Sequence, residues 1–179
     1  MTAQISDTFI YQEQKYNLVA LQGEGLIIPQ DYNMQPEMLH TACYRGFYST
    51  YEVTDNGLFL IEMVIGEVKD GYKSIQGIMP YVDGNRYTTY KGLRLLAPFT
   101  GIIRLGKNFI NTHSVNMGYQ KASAYATLLE FTFEKGIIVL IKDLSSSNSK
   151  KHGAFKNKFE SNNIHNAVRD AFSLDIEIE

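Results

Sequence analysis

Cys43 is the chain's only cysteine, three residues after His40 and two before Arg45, in the stretch TACYRGFYSTYEV from Thr41 to Val53. A thiol beside an imidazole can act as a nucleophile with its base, and His40 or the more distant His113 would be that base. Such a thiol needs a neighbour that lowers its pKa, and no third residue is identifiable to orient the imidazole. A free cysteine more often packs as a small apolar side chain, so Cys43 is expected to be buried and inert. A metal has less support still: His40 and Cys43 have no second pair at ligand spacing. No metal site and no cofactor are expected. Gly23-Glu24-Gly25 precedes an apolar run rather than a helix, which removes the dinucleotide fingerprint by context.

Side chains alternate faces along a strand. If TACYRGFYSTYEV is one unbroken strand, Cys43, Arg45, Phe47, Ser49, Tyr51 and Val53 share the more apolar face. That places a guanidinium on the core side, where it must find a carboxylate or several carbonyls. On the other face Gly46 leaves a gap between Tyr44 and Tyr48, a shallow slot with apolar walls and polar rims. Tyr44, Arg45, Gly46 and Tyr48 are therefore the candidate ligand- or partner-binding residues. The plainer reading is a strand whose tyrosines cover the sheet and whose glycine marks a bulge.

Other charged groups give weaker patterns. Asp31, Glu37, Glu52 and Glu62 could converge in a barrel mouth, although most carboxylates are solvated surface groups. KKHGAFKNKF carries four lysines from Lys150 to Lys158 with two interleaved phenylalanines. Basic-aromatic segments contact nucleic acid or anionic lipid. A formal net charge of -2 gives that reading no overall electrostatic support, so nucleic acid is not the expected partner.

The elements that would position these residues are mostly strands. Twelve Tyr, ten Phe and no Trp favour β structure. Phe9–Tyr11 and Tyr16–Leu21 flank the polar turn QEQK. A loop with a short strand at Leu26–Ile28 leads to a hairpin, Tyr48–Thr54 and Leu58–Ile65, turning at Asp55-Asn56-Gly57. Residues 66–91 read as a long connection with a strand at Lys73–Ile78. A second unit follows: Phe99–Leu105, then Ala124–Glu134 and Ile137–Asp143 around Glu134-Lys135-Gly136. In it Leu129, Phe131 and Phe133 alternate with Glu130, Thr132 and Glu134, as in a sheet with one wet face. The expected fold is mainly β, an antiparallel β-sandwich or partly closed barrel with a short C-terminal helix at Asn163–Phe172. The β domain covers residues 1–144. Residues 145–179 read as a polar linker, that helix and a terminal edge strand.

Two stretches look alike. GLIIPQDYNM leading to STYEVTDNGLFLIEMVI, and GIIRLGKNFINTHSVNM leading to LLEFTFEKGIIVLIKDL, share an isoleucine-rich opening, an Asn-Met pair and a glycine-turned hairpin. Residues 25–65 and 101–143 would be duplicated β units. The competing reading is that any two hairpins look alike, because turns demand glycine and strands demand alternation.

TACYRGF, STYEV, PFTG, NMG and LLEFTF together resemble a family of small uncharacterised bacterial proteins, over most of residues 1–143. The resemblance carries no catalytic residue and so implies no activity.

A chain of 179 residues can bury a sizeable core in one domain. One cysteine forms no internal disulfide, which leans towards a reducing compartment. The N-terminus lacks a signal-peptide pattern, and no apolar run is long enough to span a bilayer. A cytoplasmic protein with no membrane association is expected. With aromatic-rich strands and no catalytic constellation, the expected function is non-enzymatic binding. The partner would be another protein, as for an immunity or inhibitor-type protein, or a small apolar ligand. The alternative is an enzyme of unrecognised class using Arg, Tyr and carboxylates in a barrel mouth.

Overall fold

The computed structural model describes residues 2–82, 87–111, 114, 116–151 and 164–176. In chain order its strands are β1 (Thr8–Tyr11), β2 (Gln14–Glu24), β3 (Phe47–Thr54), β4 (Gly57–Ile65), β5 (Tyr81–Val82), β6 (Thr88–Leu96), β7 (Thr100–Phe109), β8 (Tyr125–Glu134) and β9 (Ile137–Asp143). Two helices follow, α1 (Ser145–Lys151) and α2 (Ile164–Phe172). The protein is mainly β with a short helix near the C-terminus, as the aromatic-rich alternating segments imply.

All nine strands belong to one sheet, ordered β5-β6-β4-β3-β1-β2-β7-β8-β9. Pairing is antiparallel except between β1 and β3, where Thr8 to Tyr11 lie parallel to Thr50 to Val53. The β1–β2 hairpin sits at the centre: β2 returns the chain to the starting end of β1, and residues 25–46 step past β1 there to begin β3 parallel to it. The sheet curls without closing. Its two halves meet where Leu58 N–H donates to Gly136 C=O (2.8 Å), Ala97 N–H to Leu58 C=O (2.8 Å) and Gly136 N–H to Phe99 C=O (2.7 Å).

Aromatic side chains fill the concave interior. Phe9, Tyr51, Tyr90, Phe99, Phe131 and Phe133 are all fully buried. Phe9 stacks on Tyr51 at 5.0 Å, and Phe99 meets Phe133 edge-on at 6.0 Å. Tyr51 and Tyr90 each place the hydroxyl on a loop carbonyl. Tyr51 donates to Ile27 C=O at 2.9 Å and Tyr90 to Lys73 C=O at 2.6 Å. The long loops thereby plug the interior, and Met34 and Ile75 from them are fully buried.

Several expectations change. Leu26–Ile28 is no strand and runs into a 3-10 turn at Pro29–Tyr32. Lys73–Ile78 is reduced to a single bridge between Ile75 and Ile78. The supposed connection 66–91 contains β5 and the start of β6. Lys91, Gly92 and Arg94 hid β6, because its outer face carries cations that pair with Glu62 of the adjacent β4 and Glu52 of β3 beyond it. The polar segment after Leu144 begins as helix α1 instead of a linker. Its serines are poor helix formers, and tertiary bonds override that propensity. Leu128 N–H donates to Ser145 Oγ at 3.0 Å, and the buried Asn148 donates to Ala122 C=O at 3.0 Å and Tyr125 C=O at 2.9 Å. Residues 152–163, with Lys156 and Lys158, lie outside the described residues, as does His113. Near the C-terminus the chain makes one bridge, Asp175 to Leu21, and residues 177–179 are outside the described set.

The hairpins of the two look-alike stretches lie on opposite sides of the central pair. Their openings differ, with Gly25–Ile28 outside any strand and Gly101–Leu105 within β7. Among the described residues no helix is long and apolar enough to cross a membrane.

Candidate functional site

The stretch that begins at Thr41 is not one strand. β3 starts at Phe47, and the residues before it form tight turns that end at Gly46, whose φ is +80°. From Phe47 the alternation is as expected: Phe47, Ser49, Tyr51 and Val53 are buried on the core face. The turns are pinned by the N-terminal segment. Gln4 donates from Nε2 to Thr41 C=O at 3.0 Å and accepts from Tyr44 N–H at 3.0 Å, and Ile5 N–H donates to Ala42 C=O at 2.8 Å.

Arg45 finds its acceptors inside the chain. Its Nη1 donates to Asp7 Oδ2 at 3.1 Å, its Nη2 to Asp7 Oδ1, and its Nε to Phe47 C=O at 2.7 Å. The guanidinium also lies 4.6 Å above the Phe47 ring. Asp7 accepts a further bond from Ser49 N–H at 2.7 Å. Burial alone would lower the Arg45 pKa, but the Asp7 charge and its hydrogen bonds outweigh that and hold it above its ordinary value. With both ends of its fork occupied, Arg45 clamps the loop to the start of β3.

Gly46 also answers to its neighbours. A Cβ there would lie 2.4 Å from the Glu37 carbonyl oxygen, so backbone takes the space that a slot between Tyr44 and Tyr48 would need. Tyr48 is half-buried on the β3 face away from the core. Tyr44 is different. It remains 46% exposed, and its ring leans on Phe172 of α2 at 5.8 Å. Of the four candidates, Tyr44 alone is both displayed and fixed in place.

Cys43 is buried, and its thiol donates to Phe47 C=O at 3.3 Å. Burial pushes its pKa up, only partly offset by the Arg45 charge. The Nδ1 of His40 faces its own backbone, accepting from Ala42 N–H at 3.2 Å. The described geometry therefore pairs neither group as nucleophile and base. Tyr119, which sequence reasoning did not single out, also senses this cluster. Burial raises its pKa while Arg45 pulls it down.

The four carboxylates proposed for a barrel mouth have separate surroundings. Asp31 caps Ile28 N–H at 2.9 Å, Glu52 pairs with Arg94 at 3.2 Å, Glu62 approaches Lys91 at 3.7 Å, and Glu37 contributes its backbone at Gly46. Among the described residues no group of three His, Cys, Asp or Glu is placed to hold a metal ion.

A second region escaped the sequence reading. On the outer face of the sheet Glu130 lies opposite Arg104 of β7 and Lys142 of β9. Arg104 Nε donates to Glu130 Oε2 at 2.9 Å and Lys142 Nζ to Oε1 at 3.2 Å. Glu130 was expected on a wet face but is only 6% exposed, because α1 and the C-terminal segment cover that face. Burial pushes its pKa up, but the bonds and charges of its two cations win and hold it below its ordinary value. A carboxylate kept ionised in this way makes a poor proton shuttle at neutral pH. The signal lay in the hairpin register: once β7 and β8 are aligned, Arg104 and Glu130 face each other.

Compared with protein-family models, with curated proteins and with solved structures, the chain matches none.

Proposed function

We propose that the chain is a non-enzymatic binding protein whose partner is another protein, docking on the surface around Tyr44. The observation that carries this reading is a large aromatic ring left nearly half exposed on a loop otherwise locked by Gln4, Asp7 and Arg45. Rigid, amphipathic tyrosines are the side chains on which protein interfaces concentrate their energy, since little conformational entropy is lost when they are covered. Met38, on the same loop, is 54% exposed and adds an adaptable apolar contact.

The filled interior favours a protein partner over a small apolar ligand held inside the sheet. The dispersed carboxylates and the engaged Arg45 favour binding over catalysis. Cytoplasmic residence and bacterial origin belong to the same proposal. They rest on the lone free cysteine and on the resemblance carried by TACYRGF and its companion segments.

Affinity capture from the native cell, with mass spectrometry of both proteins and small molecules, tests the reading. A protein captured in stoichiometric and saturable amount supports it. Recovery of a bound small molecule with no protein partner overturns it.

A further inference from the structure

The outer-face cleft has a chemistry of its own, independent of the Tyr44 surface. It is an open recess of about 350 Å³, within the range of small-molecule sites. The Arg104–Glu130–Lys142 row lines it together with Ser123, Ser147 and the apolar Val19 and Leu128. Its lining includes the cations Arg104, Lys121 and Lys142 and the anions Glu130 and Asp175, so three positive charges less two negative leaves +1. The whole chain, by contrast, carries -2.

Those cations are unequally engaged. Lys121 Nζ is committed to the C-terminal end of α2, where it donates to Asp170 C=O at 2.7 Å. Arg104 gives its Nε to Glu130, and its two Nη nitrogens reach no hydrogen-bond acceptor among the described residues. A guanidinium whose Nη nitrogens are unengaged presents N–H donors in a planar array that matches a carboxylate. The opposing charge, Asp175, is turned onto Ser173, whose hydroxyl donates to it at 2.7 Å.

We infer that this cleft is a binding site for a small carboxylate with an apolar body. The carboxylate would sit on Arg104 with help from Lys142, and the body against Val19 and Leu128. Glu130 serves as the fixed counter-ion that orients both cations. An electrically neutral lining would offer an anion little, and apolar side chains alone would give no orientation. The cleft combines a net positive lining with apolar side chains.

Benzoate and inorganic phosphate, titrated separately into the ¹⁵N-labelled full chain at neutral pH and matched ionic strength, test the inference by two-dimensional NMR. Benzoate is expected to bind saturably and to shift the amides of Ser123, Leu128 and Ser147, with phosphate at least about tenfold weaker. Arg104→Lys keeps the charge but loses the planar fork, and should weaken benzoate by about tenfold or more. Ser123→Leu fills the recess without touching the charges and should abolish binding. A melting curve for each variant reports its folding, and Ser123→Leu decides the matter if the arginine variant does not fold. Benzoate shifts that fail to saturate or spread over the whole surface overturn the inference. So does phosphate binding as tightly as benzoate, or a folded Ser123→Leu that binds like the wild type.

Discussion

Arg45 and Asp7, 38 positions apart, form a two-pronged ion pair whose closest contact is 2.5 Å, with the Asp7 side chain 5% exposed. The pair joins the N-terminal segment to the loop that carries Tyr44. Removing one member leaves the other charge underserved in a place water reaches poorly. Arg45→Met should therefore cost about 3–5 kcal/mol. The double variant Arg45→Met/Asp7→Asn should cost clearly less than the sum of its parts. Urea unfolding of the four proteins in this cycle checks it. Additive losses would mean that the two residues do not act as a unit.

Glu130 sets a second expectation, on pH. Its folded-state pKa lies below the unfolded value. The stability it contributes is therefore fully present above about pH 4.3, the ordinary glutamate value, and is lost as pH falls through the lowered folded value. Unfolding free energy measured from pH 7 to pH 3 should fall less steeply on the acid side in Glu130→Gln than in the wild type. Identical acid limbs would contradict the role given to Arg104 and Lys142.

The seam between the sheet's halves depends on Gly57. Its φ is +133°, and a Cβ there would lie 2.6 Å from Leu96 Cδ1 and 3.2 Å from the Gly136 oxygen. Within Asp55-Asn56-Gly57 only Gly57 has a positive φ. Gly57→Val should destabilise by about 1–3 kcal/mol from the backbone alone. Crowding at the seam adds to that loss. An unchanged melting temperature would contradict the assignment.

Cys43 should be inert. It is 1% exposed and its thiol is held protonated by burial. Labelling with an aromatic disulfide should be slow in the native protein and fast after denaturation. Rapid stoichiometric labelling at neutral pH would contradict the buried placement.

The sequence made local periodicity legible and left long-range partners obscure. β3, β4, β8 and β9 were readable because glycine turns and alternating apolar residues are signals within a few positions. The inward face of Phe47, Ser49, Tyr51 and Val53 followed from alternation alone. Arg45 was recognisable as a residue in need of an acceptor, but nothing near it in the chain named Asp7. Gly46 suggested a slot, and only the tertiary fold brought the Glu37 backbone against it. Glu130 obeyed the alternation and was still buried, since α1 covers a face that the strand pattern marks as wet. That helix was hidden in turn, because its serines fold through bonds to β8 rather than by propensity.

The measurement closest to the central claim compares wild-type protein with Tyr44→Ala as bait. Both must first show closely similar melting temperatures, which is expected because Tyr44 is nearly half exposed and its backbone anchor to Gln4 survives the substitution. The partner captured by the wild type is then purified and titrated against each bait by calorimetry. The proposed function predicts at least about tenfold weaker binding to Tyr44→Ala, the loss expected when an interfacial tyrosine is truncated. Equal affinity of the two baits for that partner would contradict a docking surface at Tyr44.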